Sequence, residues 1–234
     1  MASMILKPKC DLFLEITSIR KTKFYCASET EKNRTIMKFL FILLTILMGA
    51  NKSYSGEFEE FARGWELFQK LDYQATLKIW RPLAEKGFLD AQTHLGIMYR
   101  DGIGVPKNST KAAKWFLRAA QQGDPIVQNA LGEMYSRGEG VPVNPREAVK
   151  WFRLSAENRY FKAWYNLGNA YRSGFGVPEN QGKAYMWLSF AASLGDKASI
   201  QALAELKAKM AYPEIQKANQ SARSCVGTDY KKCR

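Results

Sequence analysis

The sequence has few side chains suited to metal binding or acid–base catalysis. Its 234 residues include one histidine, His94, and four cysteines. A histidine-rich metal centre needs several imidazole ligands, and a Ser-His-Asp triad needs a histidine held between two partners. With one histidine in the whole chain, neither kind of site is expected.

Acidic side chains and long apolar runs are also scarce. The chain has 22 acidic against 35 basic residues, a net charge of +13, and its longest apolar stretch is the twelve uncharged residues 39–50. A helix that crosses a membrane needs about 20 apolar residues. The short run excludes such a span, while a hydrophobic content of 46% supports a packed core and argues against wholesale disorder.

Residues 37–55 have the layout of a secretory signal peptide. Lys38 precedes the apolar run 39–50, and small residues follow it at Ser53 and Ser55, as at a signal cleavage site. The alternative, a buried core helix, fits these flanks less well. We therefore expect an exported protein whose mature part is residues 56–234, without a transmembrane span, with the periplasm favoured over full secretion.

Residues 1–36 precede this signal, although signal peptides stand at the very N-terminus. We expect translation to begin at Met37 and residues 1–36 to be a disordered start-site artefact. The alternative is a cytoplasmic tail on a signal anchor, against which the short apolar run argues. Removing residues 1–55 removes nine basic and four acidic side chains and leaves a net charge of +8.

The cysteines divide in the same way. Cys10 and Cys26 fall in residues 1–36, which leaves Cys225 and Cys233 as a pair eight residues apart. In an exported chain such a pair predicts a disulfide that closes a short C-terminal loop. Two cysteines without a nearby histidine do not provide the four ligands of a structural zinc site.

The central part of the chain repeats every 36 residues. The repeated features are a Leu-Gly pair, a tyrosine, a tryptophan and a Gly-x-Gly-Val-Pro block. They are Leu95-Gly96, Leu131-Gly132 and Leu167-Gly168; Tyr99, Tyr135 and Tyr171; Trp115, Trp151 and Trp187; and the blocks that begin at Gly102, Gly138 and Gly174.

Each unit predicts a helical hairpin. Apolar residues recur at helical spacing, the first glycine of the block supplies a left-handed C-cap, and the proline prevents continuation of the helix. Asn108, Asn144 and Asn180 then stand as N-caps of the next helix. Weaker copies in residues 56–90 and 199–234 predict terminal capping units, which gives about ten helices and no strand.

With these motifs the chain resembles the Sel1-like repeat (SLR) family, whose units are tetratricopeptide-like hairpins of about 36 residues. The resemblance places three repeats in residues 91–198, between a degenerate helical unit (56–90) and capping helices with a disulfide-closed tail (199–234). It implies an all-α, right-handed α/α solenoid. It also implies a scaffold that binds other proteins and shares no catalytic residue with its relatives.

No residue pattern predicts chemistry. The Gly-x-Gly pairs follow a helix, whereas a dinucleotide-binding loop follows a strand. His94 shares its repeat position with Ala130 and Asn166, as a structural or surface residue does. The Ser-x-x-Lys motif of β-lactamase-like enzymes occurs only at residues 18–21. We therefore expect no catalytic residue, no cofactor and no bound metal.

The remaining functional hypothesis is a column of basic residues. Lys78, Lys114 and Lys150 recur at the 36-residue period, and Arg81 and Arg153 follow one turn later. A basic stripe would attract an acidic partner. The alternative is a solvated face on which the aliphatic stems of the lysines cover the neighbouring tryptophans.

These features favour an exported scaffold that binds protein partners through a concave solenoid face, without catalysis. The alternative is a protein that binds a cell-envelope polymer, either peptidoglycan or an acidic polysaccharide. A β-lactamase-like hydrolase is a remote third hypothesis. Nucleic acid is not an expected partner, because an exported chain would not meet it.

Overall fold

The computed structural model describes residues 56–228, 230 and 233, which belong to the compact unit Lys52–Arg234. The described part is helical and contains no strand, as the sequence predicts. The segments interpreted above as a start-site artefact (1–36) and a signal peptide (37–55) lie outside the described residues.

Ten helices follow one another along the described part of the chain. They are α1 (helical residues 56–69), α2 (Tyr73–Lys86), α3 (Leu89–Asp101), α4 (Ser109–Gln121), α5 (Pro125–Arg137), α6 (Pro145–Glu157), α7 (Phe161–Ser173), α8 (Gln181–Ser193), α9 (Lys197–Lys207) and α10 (Tyr212–Gly227). Helices α3–α4, α5–α6 and α7–α8 pair as hairpins, and α4 contacts α5 as α6 contacts α7. The result is a stack of consecutive hairpins.

The predicted caps are confirmed. The side-chain oxygens of Asn108, Asn144 and Asn180 each accept a hydrogen bond from the backbone N–H three residues later, at 2.9, 3.2 and 2.8 Å. The first glycine of each Gly-x-Gly block has a left-handed backbone at a helix C-cap: Gly102, Gly138 and Gly174, with φ of 77°, 73° and 71°. These caps satisfy helix-end groups and fix where each turn begins.

The glycine of each Leu-Gly pair lets the two helices of a hairpin approach closely. A Cβ added at Gly96 would lie 2.4 Å from a ring carbon of Phe116, and one at Gly132 would lie 2.6 Å from the ring of Phe152. Both rings come from the second helix of the same hairpin. A larger residue at these positions would push the hairpin apart, which explains why the glycine returns in every copy.

Successive hairpins are joined by a repeated hydrogen bond from one side chain to the end of the preceding helix. Gln92 Nε2 donates to the Ala84 carbonyl at 2.9 Å, and Gln128 Nε2 donates to the Ala120 carbonyl at 3.1 Å. In the third copy Trp164 Nε1 donates to the carbonyl of Ala156 at 2.9 Å. Carbonyls near a helix C-terminus lack partners within their own helix. Each of these bonds satisfies one such carbonyl and, because it joins two hairpins, it also helps to set the distance between them.

The C-terminal helices close the stack differently. Helix α9 packs against α8, and α10 also packs against α8. Helix α10 buries Ala218 and Cys225 against the same core that contains Met186, Trp187 and Phe190 of α8. The chain therefore folds back over the last hairpin.

Candidate protein-interaction surfaces

The predicted basic column lies on the second helices of the hairpins. Lys78, Lys114 and Lys150 are exposed on α2, α4 and α6; we call this surface the second-helix face. Lys150 Nζ lies 3.1 Å from Glu147 Oε2 and 5.6 Å from the ring centre of Trp151. Within the described part of the chain, Lys78 and Lys114 form no ion pair. The three lysines therefore occupy equivalent positions but differ in their partners.

The two arginines of the column reach the next hairpin. Arg81 donates from Nη2 to the Tyr99 hydroxyl at 3.5 Å, and Arg153 donates to the Tyr171 hydroxyl at 3.0 Å. At the equivalent position between these two, Leu117 replaces arginine. The arginine contacts join neighbouring repeats, so a structural role accounts for both side chains.

A groove runs between α2 and α4 on the second-helix face. Its lining residues include three cations and one anion, together with two apolar side chains. They are Lys111, Lys114 and Arg118; Glu85; and Trp115 and Leu117, with Gln121 beside them. The Arg118 guanidinium lies 5.1 Å from the ring centre of Trp115. The groove is thus a half-buried apolar floor bordered by positive charge.

The corresponding surface of α8 is covered. Met186, at the repeat position of the three lysines, is 3% exposed. It lines a cavity of about 500 Å³ with Met210, Glu214 and Ala218, beside α10. The basic column therefore stops at the hairpin whose outer face is covered by the C-terminal helix.

A polar network, which the sequence reasoning above missed, connects α5 with α7. Asn166 Nδ2 donates to Asn129 Oδ1 at 2.9 Å and lies 3.3 Å from Glu133 Oε1, and Asn129 Nδ2 donates to Glu133 Oε1 at 2.9 Å. Asn129 is buried although it is polar. We call the side of α3, α5, α7 and α9 that carries these residues the first-helix face.

Asn169 extends this network by one turn. Its Oδ1 atom is buried and has no hydrogen-bond partner in the described part of the chain. Glu133, Asn166 and Asn169 line a cavity of about 290 Å³ between the first helices of two repeats. The available sequence signal was the spacing of amide and carboxylate side chains about one turn apart on α5 and α7. Of these residues, only Asn166 entered the comparison of repeat positions, at the position of His94.

The predicted cysteine pair is brought together at the end of α10. The Cα atoms of Cys225 and Cys233 lie 4.9 Å apart, a separation found in disulfides. Both side chains are buried. Between them, the Tyr230 ring stacks on Trp164 with centres 5.2 Å apart and meets Phe190 edge-on at 5.2 Å. The closed loop therefore fastens the end of α10 to α7 and α8.

His94 lies in an aromatic cluster. Its ring centre is 5.1 to 5.4 Å from those of Phe61, Trp65 and Trp80, and its Nδ1 is 2.8 Å from the Asp90 carbonyl. These contacts agree with the predicted structural role. No group of three potential metal ligands occurs among the described residues, and none of their helices has the length and apolarity to span a bilayer.

One ion pair shifts the pKa of its members. Arg100 donates from Nε and Nη2 to the two carboxylate oxygens of Asp101 at 2.7 and 2.8 Å. These hydrogen bonds lower the pKa of Asp101 and raise that of Arg100. The pair lies at the exposed C-terminal end of α3, where the carboxylates of Glu133 and Glu139 also raise the pKa of Arg100.

Comparison with known proteins identifies the repeats. The model of the Sel1 repeat matches residues 89–124, 125–160 and 162–196. A search of curated proteins gave no match.

Two solved structures share the fold. A Sel1 repeat protein from Oxalobacter formigenes is 33% identical, with a TM-score of 0.56, over 61% of this chain and 58% of that one. A protective antigen of uropathogenic Escherichia coli strains, which displays an SLR fold, is 34% identical with a TM-score of 0.63, over 68% of this chain and 35% of that one. The match thus spans little more than half of the first relative and about a third of the second.

Sel1 repeats generally mediate protein–protein interaction and are typically non-catalytic scaffolds. The three matched segments coincide with the hairpins α3–α4, α5–α6 and α7–α8. The chain therefore contains three consecutive Sel1 repeats, and its described part has the all-helical SLR fold.

Proposed function

We propose that this protein is an exported, non-catalytic scaffold that binds a protein partner through its first-helix face, which we take as the concave face of the solenoid. The supporting observation is the unpaired Oδ1 of Asn169 beside the network of Asn129, Glu133 and Asn166. A buried acceptor without a partner costs free energy. A backbone N–H of a bound peptide would satisfy it.

The network suits an extended peptide because it crosses two repeats. Asn129 and Asn166 lie on neighbouring first helices, and their side chains already form a hydrogen bond between the repeats. Amide side chains carry both donors and acceptors, which match the alternating N–H and C=O groups of an extended backbone. Stacked repeats supply such positions along one surface.

Two features support export. The uncharged run 39–50 follows Lys38 in the layout of a signal peptide. Cys225 and Cys233 lie at disulfide distance, and disulfides persist mainly in oxidising compartments outside the cytosol. Both features support a location in the cell envelope or beyond it for the proposed scaffold.

Peptide selection tests the binding proposal. A displayed random-peptide library is selected on the full-length chain, and the selected peptides are measured against Asn169→Leu and Asn166→Ala variants. We expect each variant to weaken binding by about fivefold or more, the equivalent of one lost hydrogen bond of about 1 kcal/mol.

Lys197→Ala, an exposed change on α9, serves as the control and should bind like the wild type. If the selected peptides bind all variants equally, the first-helix face is not the binding surface. Sedimentation of the wild-type chain with purified peptidoglycan, in the absence of peptide binding, would favour the envelope-polymer alternative.

Export is tested on the protein made in a bacterial host that secretes through signal peptides. We expect the mature N-terminus, mapped by mass spectrometry, at Gly56 and the protein in the periplasmic fraction. A cytosolic protein that retains residues 1–55 would contradict export without affecting the binding proposal.

A further inference from the structure

Helix α10 shows that the outer face of a second helix can accept another helix. Its residues Ile215, Ala218 and Ala222 recur at helical spacing and pack against the core that includes α8. On α8 this core contains Met186 and Phe190, which are 3% and 8% exposed. A helical stripe of apolar side chains, together with Tyr230 of the C-terminal loop, therefore covers a second helix in this fold.

The equivalent face of α4 has no such cover in the described part of the chain. Two repeats before Met186 and Phe190 stand Lys114 and Arg118, so two cations replace two buried apolar side chains. The aromatic position is kept, since Trp115 corresponds to Trp187. The α4 face therefore preserves the apolar centre of the α8 face and changes its border to positive charge.

The basic side chains that line the α2–α4 groove outnumber the acidic ones. Lys111, Lys114 and Arg118 face one carboxylate, that of Glu85. Lys114 has no ion pair in the part of the chain that the structure describes. On α6 the equivalent Lys150 is paired with Glu147 at 3.1 Å. The lining of the α2–α4 groove therefore has three cations and one anion, an excess of two positive charges.

We propose that an acidic amphipathic helix of a partner protein docks in the groove between α2 and α4, in the way that α10 docks on α8. Its apolar stripe contacts Trp115 and Leu117, and its carboxylates face Lys111, Lys114 and Arg118. This second-helix face is a docking surface additional to the first-helix face of the proposed function. Neither surface depends on the other.

The positive charge of the groove and its apolar floor of Trp115 and Leu117 together favour an acidic amphipathic helix as the partner. Complementary charge guides the encounter and excludes basic partners. A helix laid in a groove is recognised through apolar side chains at helical spacing. A polyanion without apolar side chains would leave the half-buried Trp115 and Leu117 uncovered, so charge alone does not account for the groove.

The test uses a fluorescent synthetic helix and the full-length chain. The probe keeps the apolar spacing of Ile215, Ala218 and Ala222, has serine in place of Cys225, and carries glutamate at the flanking positions. We expect anisotropy titrations to show binding that weakens at least about tenfold with Lys114→Glu plus Arg118→Glu. A matched probe with lysine at the flanking positions should bind that variant and not the wild type.

Two controls separate the outcomes. Lys197→Glu makes the same kind of charge change on α9 and should leave the affinity unchanged. Asn169→Leu should also leave it unchanged, so a failure of the first-helix proposal is distinguishable from a failure of this one. Circular dichroism verifies that each variant is folded.

Three results would overturn the proposal. One is equal binding of the acidic probe to the wild type and the double variant. Another is equal binding of a proline-interrupted acidic probe that cannot form a helix, which would make the groove a polyanion site. The third is a chain that dimerises through this face and excludes the probe, which would make a second copy the occupant.

Discussion

The outer faces of α8 and α4 occupy equivalent repeat positions but have opposite surroundings. Helix α8 buries side chains around most of its circumference, including Tyr185, Met186 and Phe190, because the hairpin lies on one side and α10 on the other. Helix α4 buries one stripe, formed largely by alanines and Phe116. A helix that is apolar on all sides must be covered on all sides. The additional apolar residues of α8 therefore correspond to the additional cover that α10 provides, which α4 lacks in the described part of the chain.

The largest expected effect on stability comes from replacing Met186 of α8 with lysine, the residue that α4 has at the same repeat position. Met186→Lys puts a cation at a position that is 3% exposed, beside a cavity whose charged lining residues, Lys183, Lys217 and Glu214, already carry a net positive charge. We expect a loss of about 3 kcal/mol or more in the free energy of unfolding, since an uncompensated buried charge costs that much. Urea unfolding followed by circular dichroism measures it, and hydrogen exchange should rise across α10.

The reverse exchange is the matched control. Lys114→Met changes an exposed residue, and surface substitutions usually alter stability by less than about 0.5 kcal/mol. A similar loss from both exchanges would show that the α8 and α4 faces do not differ in cover, and would remove the basis of the comparison.

The next effect concerns the closure that keeps α10 on α8. Replacing Cys225 and Cys233 with serine should lower stability by about 2 to 3 kcal/mol, as the entropy of closing a short loop predicts. Hydrogen exchange should increase in the last turns of α10 and remain unchanged in α4. An unchanged unfolding curve, together with free thiols in the wild-type protein, would show that the pair is not bonded.

A smaller effect separates the structural cations from the unpaired ones on the second-helix face. Arg153→Ala removes the hydrogen bond to the Tyr171 hydroxyl at 3.0 Å, and we expect a loss of about 1 kcal/mol. Lys114→Ala, which breaks no ion pair in the described part of the chain, should leave stability unchanged. Thermal unfolding of both variants distinguishes the two roles, and equal midpoints would contradict the assignment.

The smallest effect belongs to Arg100 and Asp101, outside the α8–α10 contact. The pKa of Asp101 is lowered from its ordinary value of 3.8, so the pair stabilises the fold above that value and loses its contribution as the pH falls through the lowered pKa. The pair is partly exposed, so we expect only a few tenths of a kcal/mol. Comparison of the wild type with Asp101→Asn at pH 7 and pH 3 should show the difference shrinking with acid; a constant difference would exclude this cause.

The sequence predicted those features that depend on neighbouring residues. Asn108, Asn144 and Asn180 cap helices because an amide oxygen reaches an N–H three residues later, and a glycine ends the preceding helix because its backbone accepts a positive φ. The recurring glycine of the Leu-Gly pair lies where Phe116 of the partner helix approaches Gly96 closely.

The candidate surfaces were only partly predictable. The lysine column was visible at its 36-residue period, but its members differ in a way that the period does not show, because Lys150 has Glu147 beside it and Lys114 has no such partner among the described residues. The network of Asn129 and Asn166 joins residues 37 positions apart. Such a contact depends on how two hairpins stack, which the order of residues within one hairpin does not specify.

The sequence by itself determined the repeat unit, its helix ends and the pairing of helices within a hairpin, because capping and hairpin formation are local interactions. Only the tertiary structure decided which faces are covered. Helix α10 returns to α8 and replaces solvent on that face, so Met186 is core while Lys114 is surface at the same repeat position. That choice depends on the burial of apolar area between distant segments, which is a property of the packed chain.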